Sequence, residues 1–535
     1  LRVFLIHIRD PQFYAIPSNA RGPNGRLQVM GFPPIGIMSL SSVLKRAGHE
    51  CVMFDQANPE TPDEKIVEEI RRQKPELVGL SFLSTTSYPY AKILARKIRA
   101  ADSAVKIAFG GVFASLNATL VKMQCPEVDF VCCGDGEQLI LDLVERLDDP
   151  ATVTGIVWDE GGRVRQNARR PLPRNLDQWP FPDREGLDLD FVESMPLDVP
   201  AVLSRERFTT MQTSRGCPWP CVFCDIPIFN EGMWRSRTPG HVVEEMKQLS
   251  ADGYGSVYFV DDHFLLQPKR IESICQGILR NGLKLQWGVE GRVDSKCMQL
   301  FPLMARAHCR TLMFGIESGS QRVLDRLKKE QTLAEVETAV NNAKRAGIEI
   351  VHGFFVVGNP DETEEDLRQT FRFASRLRID SFGFNRLCVY RGTPLWSEYI
   401  RRGLVDDATD WYKYFKCSSI DPTVLPGEVI HRIRAEELRK LILYKLVHYP
   451  FQTLRLLRRF VRHMPLRDVL HLIFKPFLGK KTGSTQAEVI SRAVEHAEAK
   501  SSAADLTLLA DEALEHAIKA SREERARIQA EAEVR

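Results

Sequence analysis

The sequence predicts an α/β protein: an open, doubly wound parallel sheet, a partial (β/α)6 barrel of six units, and a helical extension. Three observations carry this. Short β-branched runs alternate with amphipathic helical runs from Leu1 to about Asp149. After a proline-rich interval the alternation resumes from Pro239 to Cys388, with polar residues at the strand ends. Beyond residue 401 the readable periods are helical, and cations or Ala/Glu/Arg dominate.

Taken in order, residues 1–150 form the first expected domain. Strands are read at Arg2–Ile8, Glu50–Asp55, Leu77–Phe82, Lys106–Gly110 and Phe130–Cys133. Helices are read at Gly36–Gly48, Asp63–Gln73 and Tyr90–Ala101. Ligands of such sheets bind at the carboxyl ends of the strands. The loops there hold Ser81, Ser84, Thr85, Gly110, Gly111, Gly134 and Glu137. Residues 151–202 read as a linker with one hairpin turning at Glu160-Gly-Gly162, then proline-rich coil, a spacer more than a site. Residues 203–400 form the barrel, with strands at Ser256–Val260, Leu285–Val289, Thr311–Ile316, Glu349–Val357 and Ser381–Cys388 after an opening strand near Phe208. Residues 401–482 and 483–535 form a basic amphipathic extension and a charged helical tail.

Composition sets broad limits. The 535 residues imply about three or four domains. Charged residues at 27% and hydrophobic ones at 44% describe an ordinary globular chain. The net charge of +3 gives no global argument for nucleic acid. No uncharged apolar run is long enough for a membrane span, and no signal peptide is read. Twelve cysteines without a disulfide framework point to a reducing, cytoplasmic compartment.

The chemistry concentrates in Thr213–Pro227, TSRGCPWPCVFCDIP. Cys217, Cys221 and Cys224 follow a strand-like run at spacing CxxxCxxC. A four-iron cluster takes four ligands. Three thiolates leave one iron for a substrate or cofactor. Structural zinc wants four closed ligands, often with a CxxC pair, and fits less well. With Phe223 before the last cysteine, the motif resembles the radical S-adenosylmethionine (SAM) enzymes. The resemblance implies that Cys217, Cys221 and Cys224 hold a [4Fe-4S] cluster whose open iron chelates SAM. It implies further that reduction releases a 5′-deoxyadenosyl radical, with a low-potential flavodoxin or ferredoxin as electron donor.

The order PPIGIMSLSSVLKRAGH, GLSFLSTT, FGGVFA, CCGDGE resembles the Rossmann-like (flavodoxin-like) cobalamin-binding domain joined to many of these enzymes. It implies that Ser81, Ser84, Thr85, Gly110, Gly111, Gly134 and Glu137 surround cobalamin. Where many such domains carry DxHxxG, this chain reads Asp55-Gln-Ala-Asn-Pro-Glu, so no histidine is expected on cobalt. A sheet of this kind that only docks is the plain alternative. The TIM-type barrel resembles the radical SAM core as well. That implies SAM contacts from the Phe223 backbone, from Asp261 with Asp262 for the amino group, and from Arg292 for the carboxylate. Glu317 and Ser318 would lie near ribose and carboxylate, and Gly358-Asn-Pro360 near adenine. The plain alternative for each is a satisfied polar group at a loop end, and His263 and His308 read as structural.

Past the barrel, the aromatics of 407–417 could wall a substrate pocket or pack the extension. Residues 439–481 carry eleven Lys/Arg against one acid, Asp468, interleaved with Leu, Ile and Phe. That pattern reads either as lying on an anionic membrane surface or as a basic-faced helical subdomain. The combined reading is a cobalamin-dependent radical SAM methyltransferase acting on an unactivated carbon of a small, lipophilic substrate. Oxidative ring closure, as in the anaerobic cyclase of chlorophyll synthesis, is the enzyme alternative. A cobalamin- or SAM-sensing protein is the non-enzyme alternative, and the cysteines count against it.

Overall fold

The computed structural model describes residues 1–9, 32–58, 60–84, 87–188, 207–293, 296–405 and 425–463. Thr85, the aromatic run 407–417, the segment 464–481 and the tail 483–535 lie outside the described residues.

The first sheet is built from β1 (Arg2–His7), β2 (Glu50–Asp55), β3 (Leu77–Ser81), β4 (Lys106–Gly110) and β5 (Phe130–Cys132). Between them run α1 (Ile35–Arg46), α2 (Asp63–Gln73), α3 (Tyr88–Ala101), the short α4 (Val112–Leu116) and α5 (Ala118–Gln124), then α6 (Gly136–Glu145). Strand order 2-1-3-4-5 is parallel throughout and reverses direction between β1 and β3. Period-two alternation sorts the strand side chains. Phe4, Ile6, Val78 and Leu80 pack with α2 and α3, whereas Val3, Leu5 and Leu77 pack with α1 and α6.

The hairpin of the interval, β6 (Ile156–Glu160) and β7 (Arg163–Gln166), adds to this sheet through an antiparallel β5–β6 ladder. The sheet therefore runs on past the boundary expected at 150. Cys132 and Val131 leave β5 an open edge that the next β-competent segment satisfies. The proline-rich strap after it also does more than space the domains. Asp183 accepts from Ser41 and Lys45 of α1, each at 2.6 Å. Its neighbour Arg184 donates to the Thr210 carbonyl at 2.8 Å and to Glu245 at 2.7 Å in the barrel.

The barrel consists of β8 (Phe208–Met211), β11 (Ser256–Phe259), β12 (Gln286–Gly291), β13 (Cys309–Glu317), β14 (Ile350–Val357) and β15 (Ser381–Arg386), all parallel and in that spatial order. A separate antiparallel ribbon, β9 (Ser214–Arg215) with β10 (Arg235–Ser236), brackets the cysteine loop and its short α7 (Ile226–Phe229). The outer helices are α8 (Pro239–Ala251), α9 (Pro268–Arg280), α10 (Phe301–Arg306), α11 (Gln321–Arg326), α12 (Leu333–Arg345) and α13 (Glu364–Arg376). Thr332 with Glu335 and Thr363 with Asp366 form capping boxes that start α12 and α13. Val257, Phe259, Trp287, Val289, Leu312, Phe314, Val351 and Phe355 face these helices in one core. The pleat then turns Tyr258, Glu290, Thr311, Glu317 and His352 toward the lumen.

α14 (Pro394–Arg401) crosses back, and its Leu395, Trp396 and Tyr399 sit in the core of the first domain. α15 (Gly427–His448) packs Ile430, Ile433 and Leu441 on the barrel core; α16 (Pro450–His463) follows. No helix among the described residues is long and apolar enough to cross a membrane.

Candidate active site

The cysteine loop leaves the carboxyl end of β8 and is held from below by the end of β11. Asp261, buried, accepts from Thr213 N at 2.6 Å, Thr213 Oγ1 at 2.5 Å and Ser214 Oγ at 2.6 Å. Asp262 Oδ2 accepts from Gly216 N at 2.6 Å. Gly216 sits at φ 89°, and a Cβ there would lie 2.0 Å from the Met233 carbonyl oxygen, so only glycine makes this turn. Arg270 of α9 donates to the Thr213 carbonyl at 2.8 Å. The loop's far side is tied down by Val222 N to the Leu327 carbonyl at 3.1 Å and Leu395 N to the Val222 carbonyl at 3.0 Å. Phe223 packs beside Val222, Val323 and Leu327.

Cys217, Cys221 and Cys224 are free thiols within electrostatic reach of one another. Burial pushes all three thiols up, whereas the cations of Arg292 and Lys329 pull Cys217 and Cys221 back toward thiolate. Arg292 Nη1 stands 3.8 Å from Cys221 Sγ, its guanidinium lies 4.1 Å over the Trp219 ring, and it donates to the Lys329 and Glu330 carbonyls. Among the described residues no three His, Cys, Asp or Glu side chains converge on a single metal ion. A cluster distributes its thiolates over separate irons, so wider spacing and flanking cations suit its net negative charge. The loop fits that group.

The strand ends complete the mouth. Asp262 is reached by solvent yet hemmed in by protein, and desolvation, with Asp261 and Asp225 nearby, pushes its pKa up to about 6. Tyr258 OH donates to Glu290 Oε1 at 2.6 Å, and Phe32 stacks on Tyr258 at 5.4 Å. Burial pushes the Glu290 carboxyl up against that hydrogen bond, with Asp262 and Glu317 adding to the rise. Gly358, at φ 80°, and Asn359 donate their N–H groups to Glu362 Oε2 at 2.7 and 3.1 Å, which shapes the turn through Pro360. The buried Asn359 Oδ1 has no partner.

Several expected ligands are already occupied by the protein. Asp261 holds the Thr213–Ser214 entry to the loop rather than projecting into the opening. Glu317, at φ 65°, pairs with Lys329 Nζ at 2.7 Å, both buried. Ser318 Oγ meets Thr370 Oγ1 at 3.0 Å on α13. His263 is buried, and His308 Nδ1 lies 3.1 Å from Arg310. Lys329, Tyr258 and Glu362 carried no sequence signal. Each becomes significant through a partner at least twelve residues away or, for Glu362, through a turn geometry that composition does not reveal.

At the sheet of the first domain, Ser81, Gly110, Gly111 and Gly134 gather at the carboxyl ends beside the β1/β3 reversal. Gly111 has φ 99°, and its Cβ would lie 2.1 Å from the Phe82 carbonyl oxygen; a Cβ on Gly110 would meet nothing within 4 Å. Bare backbone at open strand ends fits a large, flat ligand. Ser84 Oγ lies 3.0 Å from Ser87 Oγ. Asp55, in the turn without histidine, accepts from Ala57 N at 2.9 Å and contacts His7 Nδ1 at 2.8 Å.

Glu137, expected on cobalamin, has a different partner. Its oxygens take Arg215 Nη1 at 3.1 Å and Nη2 at 2.5 Å. Asp135 takes Arg215 Nη1 at 3.0 Å and Arg235 Nη1 at 2.6 Å. Two carboxylates of the sheet domain thus clamp both strands of the ribbon, two residues before Cys217. The reason is charge: a buried carboxylate persists where cations face it.

A doubly wound domain clamped to a partial barrel, with three cysteines leaving its first strand, defines a radical SAM enzyme carrying a cobalamin domain. Residues 30–144 match the B12 binding domain and residues 211–374 the radical SAM superfamily. An uncharacterized methyltransferase of Pyrococcus horikoshii is 32% identical over 77% of this chain and 86% of its own length. The chain belongs to this family, whose cofactors are the [4Fe-4S] cluster, SAM and cobalamin. The anaerobic magnesium-protoporphyrin IX monomethyl ester cyclase of Cereibacter sphaeroides is 25% identical over 82% of this chain and 72% of its own. The methyltransferase TsrM from Kitasatospora setae, solved with cobalamin and a [4Fe-4S] cluster bound, shares the fold at TM-score 0.62. It is 18% identical, covering 75% of this chain and 78% of that one.

Proposed function

We propose that this chain is a C-methyltransferase that transfers a methyl group to an unactivated carbon of a small, lipophilic substrate. The observation that carries the reading is the Arg215 clamp, which brings the strand ends of the sheet domain against the cysteine loop. Bound at these two places, the cluster and cobalamin would supply one-electron cleavage of SAM and methyl transfer, respectively. Cys217, Cys221 and Cys224 hold the cluster. Asp262 replaces Asp261 as the carboxylate for the SAM amino group, because Asp262 is exposed whereas Asp261 is buried on Thr213 and Ser214. Arg292 orients the SAM carboxylate, and the Phe223 backbone and the Gly358–Pro360 turn receive adenine. Ser81, Ser84, Thr85, Gly110, Gly111 and Gly134 receive cobalamin. A flavodoxin or ferredoxin supplies the electron. Positioning the reacting carbon within about an ångström is the protein's main contribution to rate.

The cyclase relative favours oxidative ring closure as the second reading. Anaerobic turnover with methyl-deuterated SAM and candidate lipids or tetrapyrroles separates the two. Label in the product is expected. Formation of 5′-deoxyadenosine with an unlabelled, oxidised product selects the cyclase, and SAM consumption absent under all conditions overturns both.

A further inference from the structure

We propose that the solvent side of the end of α15 and of α16 is a docking surface for an anionic lipid bilayer. α15 is fixed to the barrel by one side only. Its buried positions are Ile430, Ile433, Glu437, Leu441 and Lys445, and Lys445 Nζ donates to the carbonyls of Leu377 and Ile379. The side away from the barrel leaves Leu443, Leu446, Val447, Phe451 and Leu454 exposed, Val447 to 71% and Phe451 to 86%. The other large apolar side chains exposed among the described residues, Leu1, Leu83 and Met123, are far apart in sequence. Scattered exposure of that kind is ordinary, whereas five such residues within twelve positions across two consecutive helices mark an interaction surface.

Charge identifies the occupant. From Leu438 to His463 the chain has seven Lys or Arg and no Asp or Glu. The fold withdraws Lys445, which is buried, and engages Arg455 with the Glu349 carbonyl at 2.8 Å. Lys440, His448, Arg455 and Arg458 remain exposed around the apolar residues. Lys440 also pairs with Glu437 at 2.7 Å and Arg455 approaches Asp380 at 3.5 Å, so the count of cations in the sequence overstates the charge that can face lipid, although the segment itself contributes no acid. Cations flanking exposed Leu, Val and Phe match the headgroup layer of an anionic bilayer, with the apolar groups entering the acyl boundary. A second copy fits poorly, since a two-fold contact would set cations against cations. A preshaped protein groove is not needed either. Val447 and Phe451 stand out from the surface, as insertion into a fluid layer requires.

Sedimentation of the whole protein with vesicles tests this. Vesicles of phosphatidylglycerol and phosphatidylcholine in equal parts should capture it, and pure phosphatidylcholine should capture much less. Combined Val447→Glu and Phe451→Glu substitutions should weaken capture by roughly tenfold or more, and raised salt should weaken capture of the parent protein. Both sites are exposed and outside the cofactor machinery, so the thermal midpoint and SAM cleavage should stay unchanged. Absence of capture by anionic vesicles at low salt overturns the proposal. So does equal capture of parent and variant, or a dimer in light scattering that the same substitutions dissolve.

Discussion

Replacing Arg215 by alanine should destabilise the whole enzyme while touching no cofactor ligand. Arg215 contacts Glu137 at 2.5 Å and Asp135 at 3.0 Å. At an effective dielectric of 20, each such contact corresponds to roughly 6 kcal/mol of Coulomb attraction, much of it offset by desolvation. Removing the cation leaves the desolvation without the attraction. Asp135 keeps Arg235 at 2.6 Å, but Glu137, buried, keeps no cation among the described residues. The expected loss is about 3–5 kcal/mol, the usual cost of an orphaned buried charge. Chemical denaturation followed by tryptophan fluorescence measures it, with cobalamin binding and SAM cleavage followed in parallel. Adding Glu137→Gln to Arg215→Ala removes the stranded charge and should recover a large part of the loss. Glu137→Gln alone should be milder than Arg215→Ala, because Arg215 keeps Asp135. The reasoning is refuted if Arg215→Ala costs less than about 1 kcal/mol, or if Glu137→Gln fails to rescue it. Loss of coupling between SAM cleavage and product formation, with both cofactors still bound, would further show that the clamp sets the distance between the two sites.

Three other outcomes are expected. Alanine at any of Cys217, Cys221 or Cys224 should abolish SAM cleavage, and near-stoichiometric iron with full cleavage in the triple variant would contradict the cluster assignment. Burial pushes the Glu362 pKa up to about 7, so the folded chain binds this proton more tightly than the unfolded chain, whose value is 4.5. Its contribution to stability must therefore fall as pH rises through that window, by at most roughly 3 kcal/mol. Thermal midpoints on either side of the window should diverge less in Glu362→Gln than in the parent. An equal or steeper dependence in the variant would assign the effect elsewhere. Finally, paramagnetic resonance of the Co(II) form should lack imidazole nitrogen splitting. If splitting appears and vanishes in His7→Ala, the histidine that meets Asp55 on the neighbouring strand is a cobalt ligand after all.

Most of the strands, several helices, the fold class and the cysteine motif were legible in the sequence. Helix α2 and strands β2 and β4 fall on their expected limits, because period, capping residues and glycines act within a few positions. The CxxxCxxC motif of Cys217, Cys221 and Cys224 is legible for the same reason, since all three lie in one short loop. Contacts between distant segments were decided by tertiary structure alone. Glu137 and Arg215 are 78 residues apart, and nothing in either neighbourhood distinguishes an interdomain ion pair from a ligand contact. Asp261 and Asp262 are adjacent and alike in sequence, yet one ends under the loop and the other at the opening, since successive residues leaving a strand point to opposite sides. Likewise a count of cations cannot tell Lys445, buried on two carbonyls, from Lys440, exposed and paired with Glu437. Burial is a property of the packed chain, and the free energy of each charge is fixed only once its surroundings are assembled.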